Sequence, residues 1–290
     1  MKVIDVSEHN GSIDFRQVRR SGVDAVMIRS SWGHFVEDRR MRTFVRDCEE
    51  AGLPYGFYHY SYALNESEMR EEAARLIQLA KQFSLTMPVA IDMEDADGYK
   101  RRHGTLNDKA LNTRICLYTC QQLAEAGFYP LIYANLDWFR NKLYLSELEE
   151  YDRWLAQWNS TGPSLSCGMW QYTSDGQIPG VSGRCDVSTA YRNYPVIIEE
   201  NQEGGQGVDW INPYVTVQVV KGVGSRNLYY VRDAVIHGNV IAQLKPGDVL
   251  VVDQISATVL SDGYKWIRVA LGEGREGYMQ VDLNYLRFLI

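Results

Sequence analysis

The chain has 290 residues, 45% of them hydrophobic and 23% charged, a globular balance that excludes general disorder, a collagen-like repeat and a coiled coil and allows one or two domains. Its formal net charge of −7 is unevenly spread: residues 1–213 carry 22 Lys/Arg against 30 Asp/Glu, and residues 214–290 carry 8 against 7. An acidic first part disfavours a nucleic-acid-binding role, which needs a basic footprint.

In chain order, short apolar runs at Lys2–Val6, Ala25–Arg29, Tyr55–Tyr60, Met87–Met93, Leu131–Ala134, Trp154–Gln157, Gly168–Gln171 and Cys185–Ser188 read as strands. Several are continuously apolar, as parallel strands buried on both faces are. Helical stretches fall between many of them. In Ser67–Phe83 the residues Met69, Ala73, Leu76, Ala80 and Phe83 form one stripe, with Asn65 and Glu68 placed for a capping box. In Asn107–Glu125 the expected stripe is Ala110, Thr113, Leu117, Cys120 and Ala124. Eight strands with crossovers imply an α/β fold, an irregular (β/α) TIM-like barrel, with an open doubly wound sheet as the alternative. No glycine-rich phosphate loop follows Lys2–Val6, which argues against a nucleotide site.

Glu199–Pro213, reading EENQEGGQGVDWINP, has the glycine and polar content of a connection. It sets the domains at 1–200 and 214–290, with a linker at 201–213. Beyond it the helical period disappears. Strands are expected at Val215–Val220, Leu228–Val231, Asp248–Gln254, Trp266–Ala270, Glu276–Gln280 and Leu286–Leu289, separated by turn signals such as Pro246-Gly247. That pattern suits a small all-β barrel.

Five cysteines, sparse and odd in number, do not make a disulfide scaffold, and no second pair joins Cys116 and Cys120 as a zinc site would require. No apolar run approaches the ~20 residues of a spanning helix, so no membrane insertion is expected. The start MKVIDVSEHNG lacks an apolar core and a cleavage site, which gives the expectation of cytoplasmic synthesis without a signal peptide.

Acids at strand ends are the strongest chemical signal. Val89-Ala90-Ile91 runs into Asp92-Met93-Glu94-Asp95, and alternation points Asp92 and Glu94 to one face, roughly 6–7 Å apart. Asp5 ends the first strand and Asp186 lies on the last. Barrel closure makes those two strands neighbours, which predicts a cluster of Asp5, Asp92, Glu94 and Asp186. Crowded carboxyls raise the pKa of at least one member, so that one can donate a proton while others stabilise positive charge, as glycosidic hydrolysis requires. Tyr58, Tyr60, Tyr62, Trp158 and the Trp170-Gln171-Tyr172 run supply polar aromatics suited to sugar faces, while Trp154 reads as core. On these residues alone three readings stand: a hydrolase, metal-dependent phosphoester or deacetylation chemistry, and a non-catalytic fold whose acids cap turns.

The chain resembles glycoside hydrolase family 25, the lysozymes of the N-acetylmuramidase type. The resemblance rests on Asp5-Val6-Ser7-Glu8-His9-Asn10-Gly11-Ser12-Ile13-Asp14-Phe15, Gly22–Arg29, Gly56-Phe57-Tyr58-His59-Tyr60, Asp92-Met93-Glu94, Tyr133-Ala134-Asn135, Trp170-Gln171-Tyr172 and Asp186, in order over about residues 1–195. It implies a barrel that cleaves the β-1,4 bond between N-acetylmuramic acid and N-acetylglucosamine in bacterial peptidoglycan, with retention of configuration and no cofactor or metal. Carried over by motif, Glu94 is the general acid. Asp92 stabilises the intermediate or orients a substrate acetamido group that attacks internally, and Asp5 and Asp186 tune the site. Arg29, Tyr133, Asn135 and Gln171 join the tyrosines and Trp158 as an expected substrate-binding set. Two departures bear on sugar subsites: Ser30-Ser31-Trp32-Gly33 follows Arg29, and Trp158 stands where many members have tyrosine. Leu228–Arg232, Leu244–Asp248, Trp266–Val269 and Glu276–Met279 resemble a bacterial SH3-like wall-binding module. The pairing looks like a phage endolysin or related autolysin, made in the host cytoplasm and acting on the wall after release.

Overall fold

The computed structural model describes residues 1–202, 210–211, 215–220, 229–232, 238–256, 260, 263–272 and 275–289. It divides into two compact units, Met1–Pro195 and Val196–Ile290.

The first unit is built on nine strands: β1 (Lys2–Val6), β2 (Ala25–Gly33), β3 (Val36–Glu37), β4 (Tyr55–Ser61), β5 (Val89–Asp92), β6 (Pro130–Asn135), β7 (Asp152–Ala156), β8 (Met169–Gly176) and β9 (Cys185–Ala190). All eight expected strands form, and β3 is a short addition that pairs with the end of β2. Pairing runs β1–β2–β4–β5–β6–β7–β8–β9 and returns to β1, which closes an eight-strand ring. Seven of these strands are parallel, and β9 is antiparallel to both β8 and β1. This is the irregularity of the expected (β/α) barrel. Only residues 177–184 separate β8 from β9, too few for a crossover, so the chain must turn straight back.

Helices α1 (Phe15–Arg20), α2 (Met41–Ala51), α3 (Glu66–Ala80), α4 (Tyr99–Arg102), α5 (Lys109–Glu125) and α6 (Tyr194–Gln202) complete the order. Alternation along the strands sorts the side chains. Ile4, Val6, Val26, Ile28, Phe57 and Val187 pack outward with Phe15, Phe44 and Leu76 of the helices. Ile91, Met93, Ile132 and Leu155 pack against Ile115, Cys116 and Cys120 of α5. The residues between them, Asp5, Arg29, Tyr58, Asp92, Tyr133, Trp154 and Asp186, face a common pocket. Gly56 allows β4 to lie close to the segment before β5, because a Cβ there would come within 2.3 Å of the Pro88 carbonyl oxygen.

Asn65 caps α3 by accepting from Glu68 N at 3.1 Å, and Glu68 accepts in return from Leu64 N at 2.8 Å, one residue before the expected partner. The buried face of α5 is Asn112, Thr113, Ile115, Cys116, Thr119, Cys120 and Leu123, with Ala110 exposed and Leu117 and Ala124 only partly buried. The expected stripe is therefore rotated. Apolar residues recur on more than one face of this helix, so the period alone does not choose the phase.

The second unit is an antiparallel sheet. Its strands are β10 (Trp210–Ile211), β11 (Val215–Val219), β12 (Tyr229–Arg232), β13 (Val240–Leu244), β14 (Val249–Ser256), β15 (Lys265–Gly272), β16 (Arg275–Val281) and β17 (Leu286–Leu289). The order is β13-β12-β16-β15-β14-β11-β17, with β10 paired to β14. Val217, Val231, Val252, Ile267, Val269, Met279 and Leu286 form its core. The six expected strands are present, although Leu228 lies outside the described residues. β13 is additional; only its last residue is fully buried, so its sequence alternates weakly. Of the expected linker, 203–209 and 212–213 lie outside the described residues, while Trp210 and Ile211 pair with Ser256 and Ile255.

Candidate active site

The pocket lies at the carboxyl end of the parallel strands, where such barrels build their sites. It is lined by Asp5, Arg29, Tyr58, Tyr60, Asp92, Glu94, Tyr133, Trp154 and Asp186. All four expected acids are therefore together. Asp5 and Asp186 are directly opposed across the β1–β9 ladder. The reversal of β9 makes this possible: Asp186 is the second residue of its strand, and in a parallel strand it would sit at the opposite end of the barrel. Asp92 ends β5, and Glu94 keeps the same facing two residues later, while Met93 packs into the outer core.

Burial raises every carboxyl in the cluster, and acidic neighbours raise Asp5, Asp92 and Glu94 further. Glu94, partly open to solvent, is pushed up to about 7 by burial first and then by Asp186 and Asp95. Asp92 is buried, and its Oδ1 has no hydrogen-bond partner among the described residues. Burial first and then Glu94 raise its pKa well above the ordinary aspartate value, with Arg29 pulling the other way. Asp5 is raised by burial and by Asp186, against the N–H that Gln171 donates to it. Asp186 is raised by burial. Of this facing pair, Asp5 is the deeper.

Arg29 is anchored rather than free. Its Nε donates to Asp38 Oδ2 at 2.9 Å, and a terminal nitrogen reaches Glu8 Oε1 at 3.4 Å. Tyr58 and Tyr133 both meet the Trp154 indole edge-on, at centroid separations of 6.0 and 4.7 Å. Trp154 is the floor: it is buried as expected, donates to Ser188 Oγ at 3.0 Å, and also lines the pocket. Gln171 is buried beside it, accepting from Tyr133 and Trp158 and donating to Asp5. Trp158 is 62% exposed and presents its ring to solvent.

The remaining expected residues are less central. Tyr60 lines the pocket and donates to Asp97 at 3.1 Å; Tyr62 shares that carboxylate and stacks on Tyr99 at 4.1 Å. Asn135 is exposed and caps the turn after β6 by accepting from Trp138 N at 3.0 Å. Tyr172 packs with Trp170 and the outer core. Asp38 and Glu8, which fix Arg29, were not expected. Nothing local marks them, because their roles exist only once β2 meets the segments around them.

Chemically, this is a cleft with one carboxyl titrating near neutrality at its mouth and further carboxyls behind it. It can give a proton to a leaving oxygen and place negative charge beside a developing cation. Polar aromatics and the Trp158 face lie around it.

The chain is similar to several known lysozymes and autolysins. The chain is 25% identical over 229 residues to an autolytic lysozyme of Clostridium acetobutylicum, covering 77% of this chain and 67% of that protein. The modular autolysin LytC of Streptococcus pneumoniae, solved with a synthetic peptidoglycan ligand, superposes with a TM-score of 0.59 at 27% identity, over 66% of this chain and 46% of its own. A bacterial lysozyme of Streptomyces coelicolor shares the fold, with a TM-score of 0.57 at 21% identity over 66% of this chain and 92% of its own. The chain thus spans about two thirds of the curated lysozyme and under half of the pneumococcal autolysin. Residues 4–181 match the profile of glycosyl hydrolases family 25, and with that match covering more than half of its length the chain belongs to this family.

Proposed function

We propose that the protein is a lysozyme that hydrolyses the β-1,4 bond between N-acetylmuramic acid and N-acetylglucosamine in bacterial peptidoglycan. The observation that carries this reading is Glu94, held up to about 7 at the mouth of a pocket whose other acids are Asp5, Asp92 and Asp186. Protonated Glu94 donates to the glycosidic oxygen as the bond breaks. Asp92, behind it, stabilises the positive centre or holds the acetamido group that attacks it, and configuration is retained. Asp5 and Asp186 keep negative charge near Glu94 and so keep its proton in place. The exposed face of Trp158 and the tyrosines Tyr58, Tyr60 and Tyr133 receive the sugars. The second unit, in this reading, is an SH3-like module that holds the wall, as in a phage endolysin, and the enzyme, made in the cytoplasm, does its work at the wall after release.

The test is mass spectrometry of digested peptidoglycan. New reducing ends on muramic acid are expected, and Glu94→Gln is expected to reduce their release by ~10²–10⁴-fold with the fold intact. Reducing ends on glucosamine, or cleavage confined to peptide or amide bonds, would reject the assignment. Retained turnover in the variant would reject Glu94 as the acid.

A further inference from the structure

Gln171 is only 1% exposed, and both ends of its carboxamide are engaged. Its Oε1 accepts the Tyr133 hydroxyl at 3.1 Å and the Trp158 indole N–H at 3.0 Å, and its Nε2 donates to Asp5 Oδ2 at 3.0 Å. The indole decides which end is which. An indole N–H only donates, so it must face the oxygen, and the amide nitrogen is left for Asp5. Turned over, the amide would set N–H against N–H at Trp158 and oxygen against carboxylate at Asp5, which loses two bonds in a buried site. Tyr133 does not discriminate, because a hydroxyl both donates and accepts.

One buried amide therefore joins a largely exposed aromatic face to the acid pair. We propose that Gln171 is a positioning residue: anchored by Trp158, it keeps its N–H on Asp5 and so ties the seating of a sugar on the Trp158 ring to the charge of the Asp5–Asp186 pair. This rests on the lysozyme reading in taking the ring to receive a sugar and Glu94 to be the acid whose proton the kcat profile reports.

The charge consequence follows from what surrounds Asp5. Asp186 faces it from β9, Asp92 from the end of β5 and Glu94 from the segment just after it. Tyr58 on β4, Tyr133 on β6 and Cys185 on β9 feel its charge, and Arg29 on β2 acts on Asp92 and Tyr58. The Gln171 N–H favours the ionised form of Asp5. Without it the acid pair keeps its proton to higher pH, Glu94 faces less negative charge, and Glu94 gives up its proton earlier.

Two readouts on the full chain test this. The first is the pH profile of kcat on peptidoglycan. Trp158→Phe keeps a ring for stacking but removes the N–H, and its alkaline limb is expected to move to lower pH by about half a unit. Gln171→Leu is expected to move it equally, and the double variant no further. The second is the indole 15N–1H spectrum across pH. Trp158→Phe identifies the Trp158 peak by its loss. That peak is expected to move with the acid pair in the native chain and to stop doing so in Gln171→Leu, while the indole peaks of tryptophans that do not line the pocket, unlike Trp154, hold still and report an intact fold. A Trp158→Phe profile superimposed on the native one overturns the proposal, as does a Trp158 peak that titrates alike with and without Gln171. If the native chain cleaves no glycan, the lysozyme reading fails and the spectrum alone decides the role of Gln171.

Discussion

A carboxyl that is to give up a proton near neutral pH must first be kept from losing it to water, and Glu94 is kept so by burial and by Asp186 and Asp95. That arrangement costs stability. The pKa of Glu94 rises from an ordinary 4.5 to about 7 on folding, so between those values the native state binds more protons than the unfolded chain. Stability is then greatest on the acid side of this window and falls as pH rises through it. Glu94→Gln has no proton to lose and escapes the penalty. It is expected to be more stable than the native chain at pH 8 by roughly 1–3 kcal/mol and no different at pH 4. Urea unfolding of both proteins at the two pH values checks this, and equal stability at pH 8 would show that the carboxyl is not strained by its surroundings. The four acids were legible in the sequence because each follows or sits in an apolar strand, where a charge needs a reason. The amide of Gln171, the hold of Asp38 and Glu8 on Arg29, and the second role of Trp154 were not legible, since each depends on contacts between strands far apart in sequence.

At the scale of elements, β4 and α3 are joined by a buried polar network beneath the aromatic rim. Glu72, on the inner face of α3, accepts from Ser61 Oγ at 2.5 Å and from Tyr62 N at 3.1 Å, and lies 3.3 Å from His59 Nε2. His59 in turn bonds Ser31 Oγ at 2.8 Å through Nδ1, and Phe35 stacks on its ring. One carboxylate thus holds the turn that carries Tyr62 toward Asp97. Glu72→Ala strands a hydroxyl and a backbone N–H without their acceptor and removes the carboxylate beside the buried His59 ring, and is expected to destabilise the first unit by about 3–5 kcal/mol. Glu72→Gln, which keeps an acceptor, is expected to cost less. Chemical unfolding of the variants measures this, and a loss under about 1 kcal/mol for the alanine variant would show that water replaces the carboxylate. The strands themselves were readable from short apolar runs, since burial on both faces leaves little else. The direction of β9 was not readable: the expected strands left residues 172–184 between them, long enough for a crossover, and only the extension of β8 to Gly176 shortens the connection to eight residues. The network around Glu72 was hidden, because a glutamate within an amphipathic helix looks like any solvated one.

At the scale of the whole molecule, two units with separate cores divide the chain, the first with its own closed ring and the second with its own sheet. Among the described residues, all those that line the pocket belong to the first. If the second unit holds the wall, its effect is one of concentration: tethering makes the second binding event intramolecular, and the gain depends on the substrate being a surface. A chain ending at Gln202 is therefore expected to fold, to turn over soluble glycan fragments within about twofold of the full chain, and to clear intact walls more slowly by ~10²-fold or more. Turnover of fragments and sedimentation with purified walls separate the two effects. Equal wall clearance by both chains would leave the second unit without an anchoring role, and loss of fragment turnover in a folded truncated chain would mean that the pocket needs the second unit after all.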